Sequence, residues 1–278
     1  EELFKIEPAF KAYGDHITGG TFTSSDESGD ARVFTQKLAK LCEERGAQFL
    51  YNHDVVRLAR SGDAIESVHV RARTSADGGP SAFVLKGDAV VVACGSYSAP
   101  MLRGVGVNLP IYPGKGYSAT FKILKPELAP VVSTIDDGKK VAISRLGDSL
   151  RVAGTIEIGG YDLSLDSDTA RARCHMLSRR IETILPGVCD TRTPEEGGNP
   201  QYWTGLRPAT PTNIPFIGRT QLKGLWVNAG HGTLGWTHGA GSGKAMAELL
   251  CGERPAMNFN FLGEVPARTR VHHVPSAA

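Results

Sequence analysis

No stretch of this 278-residue chain is apolar enough to cross a bilayer: the longest continuous run, 89–94, falls far short of the ~20 residues a spanning helix needs. No secretory leader pattern opens it. The five cysteines, Cys42, Cys94, Cys174, Cys189 and Cys251, are odd in number, widely spaced and form no C-x-x-C pair. That excludes a disulfide framework or zinc ribbon and fits reduced thiols in a cytoplasm-like compartment. His53, His69 and His175 make no metal-ligand pattern. With a formal charge of +2 and no Lys/Arg-rich run, there is no electrostatic case for a nucleic-acid partner. Hydrolase chemistry has no G-x-S-x-G to rest on. The first half also lacks any strand–GxGxxG–helix unit, and the chain opens Glu-Glu-Leu-Phe without Met. The expectation is the later part of a longer protein.

What is present begins near the C-terminus. An apolar strand-like run, 224–229, leads into Gly230-His231-Gly232-Thr233-Leu234-Gly235 and then a helix-like stretch. The spacing is that of a dinucleotide fingerprint. No second buried strand follows, so no βαβ unit can be completed and no strand end can hold an acidic ribose ligand. What remains is a helix N-terminus able to stabilise negative charge. A flavin, whose ring gains negative charge on reduction, is the ligand it suits.

Periodicity organises the rest. Asp30 is the expected N-cap of a helix over 31–45, with Val33, Phe34, Leu38, Leu41 and Cys42 at helical spacing and Gly46 closing it. A short strand is expected over 47–51. Three strands over 54–59, 65–72 and 81–86, parted by Ser-Gly-Asp and Asp-Gly-Gly-Pro turns, form an antiparallel meander. The run 89–94 reads as a strand buried on both faces. The middle is β-rich over 117–123, 131–136, 140–146 and 149–158, followed by a helix over 166–185. A strand over 201–204, a Pro-rich loop over 206–215, a strand over 225–228 and a helix over 241–252 complete the chain, with a loosely held tail from Glu253. This is an α/β (α+β mixed) pattern of two discontinuous sub-domains, the flanks building a parallel layer and the insert an antiparallel sheet.

The strongest local signal is Tyr202-Trp203-Thr204-Gly205-Leu206-Arg207-Pro208-Ala209-Thr210-Pro211. Prolines restrain this segment, so that Arg207 is aimed at one point and can grip a carboxylate bidentately. A structural ion pair is the other reading. His231 invites a general-base role or a packing role, and His238 is a weaker candidate. Lys115, in Tyr112-Pro113-Gly114-Lys115-Gly116-Tyr117-Ser118, reaches a ligand or is a solvated crossover residue. Ala93-Cys94-Gly95-Ser96 ends a buried strand, where α/β sheets place ligands; its glycine otherwise marks a turn. Val55 and Val56 read as core.

Segments 24–39, 93–98, 112–118, 203–211 and 230–237 together make the chain resemble the small, flavin-bearing subunit of bacterial D-amino acid dehydrogenases. These belong to the D-amino acid oxidase and glycine oxidase superfamily. The resemblance implies a glutathione-reductase-type FAD domain, incomplete here, with an inserted antiparallel-sheet substrate domain. The implied boundaries are 23–111 and 206–252 for the FAD domain, 112–205 with 1–22 for the substrate domain, and a tail over 253–278. It implies substrate contacts from Arg207, Gly232 and Thr233. It implies FAD contacts from Val56, Gly95, Ser96, Lys115, Gly116, Gly230, His231, Gly232, Thr233 and Leu234. The implied reaction is oxidative deamination of a D-amino acid to a 2-oxo acid and ammonia, without a side-chain general base. Electrons pass to a quinone or respiratory-chain acceptor, on the cytoplasmic side or peripherally at the inner face of the membrane. A second polypeptide completing the FAD domain is one implied partner. The rivals are an oxidase of the glycine or sarcosine oxidase type using dioxygen, and a non-catalytic fragment or accessory subunit. Thr212 and His238 depart from the family pattern.

Overall fold

The structure is a computed structural model that describes residues 1–73 and 82–256. The chain divides into two compact units, Glu1–Lys40 with Lys115–Gly205, and Leu41–Gly114 with Leu206–Ala278.

The lead-in forms helix α1 (Glu2–Ile6) and a 3₁₀ turn, Pro8–His16. Glu7, between them, is buried and works as a clasp. One carboxylate oxygen accepts from Ala9 N at 3.2 Å, the other from Val131 N at 2.7 Å and Val132 N at 2.8 Å. Helix α2 (Ala31–Glu44) starts where expected, with Asp30 Oδ1 accepting from Arg32 N at 2.9 Å and Val33 N at 3.0 Å. Its apolar stripe differs from expectation. Val33, Leu38 and Leu41 are 43–44% exposed, and no residue of α2 is buried among the described residues. Such a stripe is ordinarily covered by a core.

Strands β1 (His53–Ser61), β2 (Ala64–Ala72) and β3 (Ala82–Leu85) form the expected antiparallel meander, in that order. The expected Asp-Gly-Gly-Pro turn lies outside the described residues. The strand expected over 47–51 is absent. Phe49, Leu50 and Tyr51 are exposed and belong to no sheet, because no described strand lies alongside to pair their backbone groups. Strand β4 (Val90–Val92) is shorter than the apolar run that predicts it. Val92 is buried but Val91 is exposed, so one face only is covered among the described residues. A 3₁₀ turn, Gly95–Tyr97, and helix α3 (Ser98–Arg103) follow.

The insert contains β5 (Tyr112–Lys122), β6 (Thr134–Asp136), β7 (Val141–Leu146), β8 (Ser149–Ile158), α4 (Asp168–Ile184) and β9 (Gln201–Ala209). The sheet order is β6-β7-β8-β5-β9. Helix α4 presents Ala170, Cys174, Leu177, Ile181 and Ile184, as its periodicity predicts, to a core with Tyr117, Phe121, Leu150 and Val152. Two boundaries are corrected. The segment read as a crossover at 112–118 is the first half of β5, and the Pro-rich loop begins only after Ala209. Pro208 is tolerated in β9 because that strand is the sheet's edge, where a missing N–H costs no ladder bond.

Strand β8 changes face midway. Leu150 and Val152 point to the α4 core, yet so does Glu157, whose carboxylate accepts the Tyr117 hydroxyl. Simple alternation would group Leu150 and Val152 with Ile156 and Ile158, but these are exposed. The switch lies at Thr155, whose φ of 59° is rare for a β-branched residue.

Strands β10 (Phe216–Arg219) and β11 (Leu225–Ala229) pair antiparallel, and β11 runs parallel to β4 through Leu225↔Val90, Trp226↔Val91 and Val227↔Val92. Helix α5 (Gly235–Leu250) begins earlier than predicted. Gly235, Gly239, Gly241 and Gly243 weaken its propensity and hide its start. The tail beyond Ala256 lies outside the described residues.

Candidate functional site

Parallel pairing of β4 with β11 brings the carboxyl ends of both strands to one edge of the sheet, the edge where such sheets receive ligands. After β4 the chain turns at Gly95, φ 54°, into buried Ser96. After β11 it turns at Gly230, φ 87°, and Gly232, φ 54°. Two different needs for glycine are visible. A Cβ on Gly230 would lie 2.9 Å from Thr210 Cγ2 and 3.2 Å from Phe216 Cδ2, so this glycine serves packing. A Cβ on Gly95 or Gly232 would meet nothing within 4 Å, so these backbones face open space. Thr233 and Leu234, both exposed, complete a 3₁₀ turn that runs into α5, whose first N–H groups carry partial positive charge.

Arg207 lies near the end of β9 and is part-buried, which pulls its pKa below the ordinary arginine value without discharging it. Its neighbour Leu206 accepts a hydrogen bond from Ser96 Oγ at 3.3 Å, tying the turn after β4 to the strand that bears Arg207. His231 stands at the turn after β11. Burial first, and the charge of His238 second, lower its pKa, so its imidazole is neutral at pH 7. Its Nε2 is buried with no hydrogen-bond partner among the described residues, and so is Asn228 Oδ1. Unmet buried polar atoms cost about 1–3 kcal/mol each, a cost that ligand contacts can remove. Asn228 gave no signal in the sequence, being one amide inside an apolar strand. Val56, read as core from its residue type, is exposed. The β1–β2 register passes from Val55↔Val70 to Arg57↔His69 and leaves Val56 outside the ladder, with its backbone available.

Lys115 and Gly116 belong to the other unit. Lys115 is 2% exposed, which removes its reading as a solvated residue. Its Nζ donates to Ser164 O at 2.6 Å and lies 3.8 Å from Asp162 and 5.5 Å from the Tyr117 ring centroid. Burial, and then the bond to Glu157, push the Tyr117 pKa upward. Arg173 Nε lies 3.5 Å from Glu157. Gly116 O accepts from Thr204 Oγ1 at 2.9 Å. The Lys115 ammonium is thus engaged inside its own unit. No group of His, Cys, Asp and Glu among the described residues could hold a metal ion.

The residues at the β4–β11 edge fit FAD on physical grounds. Left-handed glycines with open space beyond them let a flat ring approach the backbone, a helix N-terminus favours charge on a reduced ring, and orphaned polar atoms await partners.

Comparison with known proteins gives a consistent picture. The pattern of the family described as FAD dependent oxidoreductase matches residues 1–249. The chain is 46% identical over 262 residues to a D-amino acid dehydrogenase of Dechloromonas aromatica (strain RCB), covering 94% of this chain and 59% of that protein. It is 42% identical over 249 residues to one of Methylobacterium radiotolerans, covering 90% and 55%. The chain therefore spans little more than half the length of these relatives. In fold it resembles glycine oxidase from Geobacillus kaustophilus, with a TM-score of 0.74 at 20% identity over 98% of this chain and 65% of that one. It also resembles L-proline dehydrogenase from P. horikoshii, with a TM-score of 0.71 at 20% identity over 90% and 62%.

Proposed function

The chain belongs to the FAD dependent oxidoreductase family, and from that premise we propose that it carries the closing part of an FAD site and the substrate-binding arginine of a D-amino acid dehydrogenase. The observation that carries this reading is the shared edge of β4 and β11, where Gly95 and Gly232 face open space. Gly230, His231, Gly232, Thr233 and Leu234 would lie along the ring, and Gly95, Ser96 and Val56 along the rest of the cofactor. Lys115 and Gly116 belong to the other unit, where the ammonium is taken by Ser164 and Gly116 O by Thr204.

Arg207 binds the substrate carboxylate through its planar fork and so orients Cα. The backbone at Gly232 and Thr233 receives the amine. His231, neutral and with Nε2 unused, needs no part as a general base if the amine binds neutral. Bound FAD supplies the acceptor for the hydride leaving Cα. Water then adds to the imine and yields the 2-oxo acid and ammonia. Electrons pass onward to a quinone acceptor. No helix among the described residues is long and apolar enough to cross a membrane.

The uncovered α2 stripe, the exposed 47–51 segment and the open face of β4 support a second part of the proposal: further polypeptide completes the FAD domain over them. The test is the full-length protein. A flavin spectrum, together with D-amino acid-dependent reduction of a quinone analogue in preference to dioxygen, is the expected result. Faster dioxygen reduction would make it an oxidase, and absence of flavin would make it an accessory chain.

A further inference from the structure

The cofactor edge proposed above is built of backbone, yet two buried side-chain atoms on one face of it lack a partner. Strand β11 alternates cleanly. Leu225, Val227 and Ala229 join the core that holds Val92 of β4, whereas Trp226 packs with Met246 and Leu249 of α5. Asn228 stands two residues after Trp226 and so faces α5 as well. Its cross-strand partner Ile217 belongs to that same α5 cluster. His231 lies on this side too: a Cβ on Gly235, the first residue of α5, would come within 3.6 Å of its own Cβ. All of these residues belong to one compact unit.

Asn228 Oδ1 and His231 Nε2 are shut off from solvent, and neither has a hydrogen-bond partner among the described residues. An amide oxygen can only accept, so Asn228 needs an N–H or O–H. Burial keeps the His231 imidazole neutral, and its Nε2 then donates or accepts according to what it meets. Together the two suit a ligand edge that sets an N–H beside a carbonyl. FAD has one such edge, in the pyrimidine part of its ring, where an imide N–H stands between two carbonyls. Its hydroxyls both donate and accept, and make no such demand.

We propose that Asn228 and His231 read the imide edge of the flavin ring, Asn228 Oδ1 accepting its N–H and His231 Nε2 donating to the carbonyl beside it. The inference rests on the FAD site proposed above. Its test compares FAD with FAD methylated at the imide nitrogen, each titrated by flavin fluorescence into the full-length protein stripped of flavin. Wild-type protein should bind the methylated cofactor roughly 10-fold more weakly, the difference one buried hydrogen bond makes. Asn228→Leu, similar in volume but without an acceptor, should weaken FAD by about that factor and no longer tell the two cofactors apart. His231→Leu should weaken FAD about 3- to 10-fold, and His231→Gln, whose amide has a similar reach, should restore part of it. Without flavin, Asn228→Leu should unfold at no lower urea concentration than wild type, because an apolar group has replaced an unmet polar one.

Equal affinity of the wild-type protein for both cofactors would overturn the proposal, whether or not any variant folds. So would equal weakening of both cofactors by Asn228→Leu, or a lowered urea midpoint with FAD affinity unchanged, which would make Asn228 a support of the fold. A wild-type protein that binds no FAD would bring down the cofactor reading and this inference together. One that tells the two cofactors apart through Asn228 but oxidises no D-amino acid would leave the inference standing and the dehydrogenase reading fallen.

Discussion

Gly95 and Gly232 share the same φ, 54°, each just beyond one of two parallel neighbouring strands. Each stands three positions beyond its strand, Val92 to Gly95 after β4 and Ala229 to Gly232 after β11. The two strands are parallel neighbours, so the left-handed turns leave one edge together. A ligand held there would meet bare backbone twice.

Substituting the second of these glycines separates ligand room from fold. Gly232→Val places its Cβ where no described atom beyond the chain neighbours lies within 4 Å, so its main structural cost is left-handed strain, about 1–2 kcal/mol. The full-length protein should keep its circular dichroism and lose flavin, measured as the ratio of flavin to protein absorbance. Gly239→Ala, also with open space but at an ordinary helical φ, is the control and should be neutral or stabilising. Retained flavin with normal turnover in Gly232→Val would place the ring elsewhere.

Arg207→Ala should lower kcat/KM for D-amino acids by roughly two to four orders of magnitude, as loss of one partner from a desolvated ion pair costs about 3–5 kcal/mol. Arg207→Lys should recover part only, since an ammonium cannot reproduce the fork. The loss should be far smaller for D-amino acid amides or esters, and flavin content should not change. Equal effects on acid and amide would show that Arg207 supports the fold rather than the substrate.

Glu7 tests how the lead-in is held. Its carboxylate accepts three backbone N–H groups, from Ala9, Val131 and Val132. Glu7→Ala orphans those donors and should cost about 3 kcal/mol, read as a lower urea midpoint. Glu7→Gln should cost less because one amide oxygen still accepts. A change no larger than that of Glu2→Ala, an exposed site, would mean the clasp adds nothing.

Alkaline pH should act through the buried thiols. Burial, and secondarily the charge of Glu182, push Cys189 up to about 11. A group whose folded pKa exceeds its unfolded value contributes stability fully below the unfolded pKa and loses it as pH rises through the folded one. Melting temperature should therefore fall as pH climbs from about 9 toward 11, and Cys189→Ala should flatten that fall. At pH 8, iodoacetamide should label exposed Cys251 well before Cys174 or Cys189.

Much of this architecture was legible wherever a periodic face meets a core. The α4 stripe from Ala170 to Ile184 and the meander strands follow directly from residue spacing. Segments whose partner is not among the described residues misled it: 47–51 has strand composition but no neighbour to pair with, and Val91 has a buried residue's chemistry on an exposed face. The site was read unevenly for similar reasons. Gly95, Gly230 and Gly232 announce themselves because glycine is needed at positive φ. Val56 could not, because a bulge is a matter of register that one residue's identity does not encode.

Thr155 carries a consequence at the level of the gene. A single residue in a left-handed conformation sets which side chains of the last part of β8 face inward. Deleting that one residue would leave plain alternation with Glu157 still facing Tyr117, whereas inserting one residue between Thr155 and Glu157 would turn the carboxylate outward. The ion cluster of Lys115, Tyr117, Glu157 and Arg173 therefore depends on strand phase as much as on its own residues. A one-codon insertion between Thr155 and Glu157 would dismantle it while leaving every one of its members in the sequence.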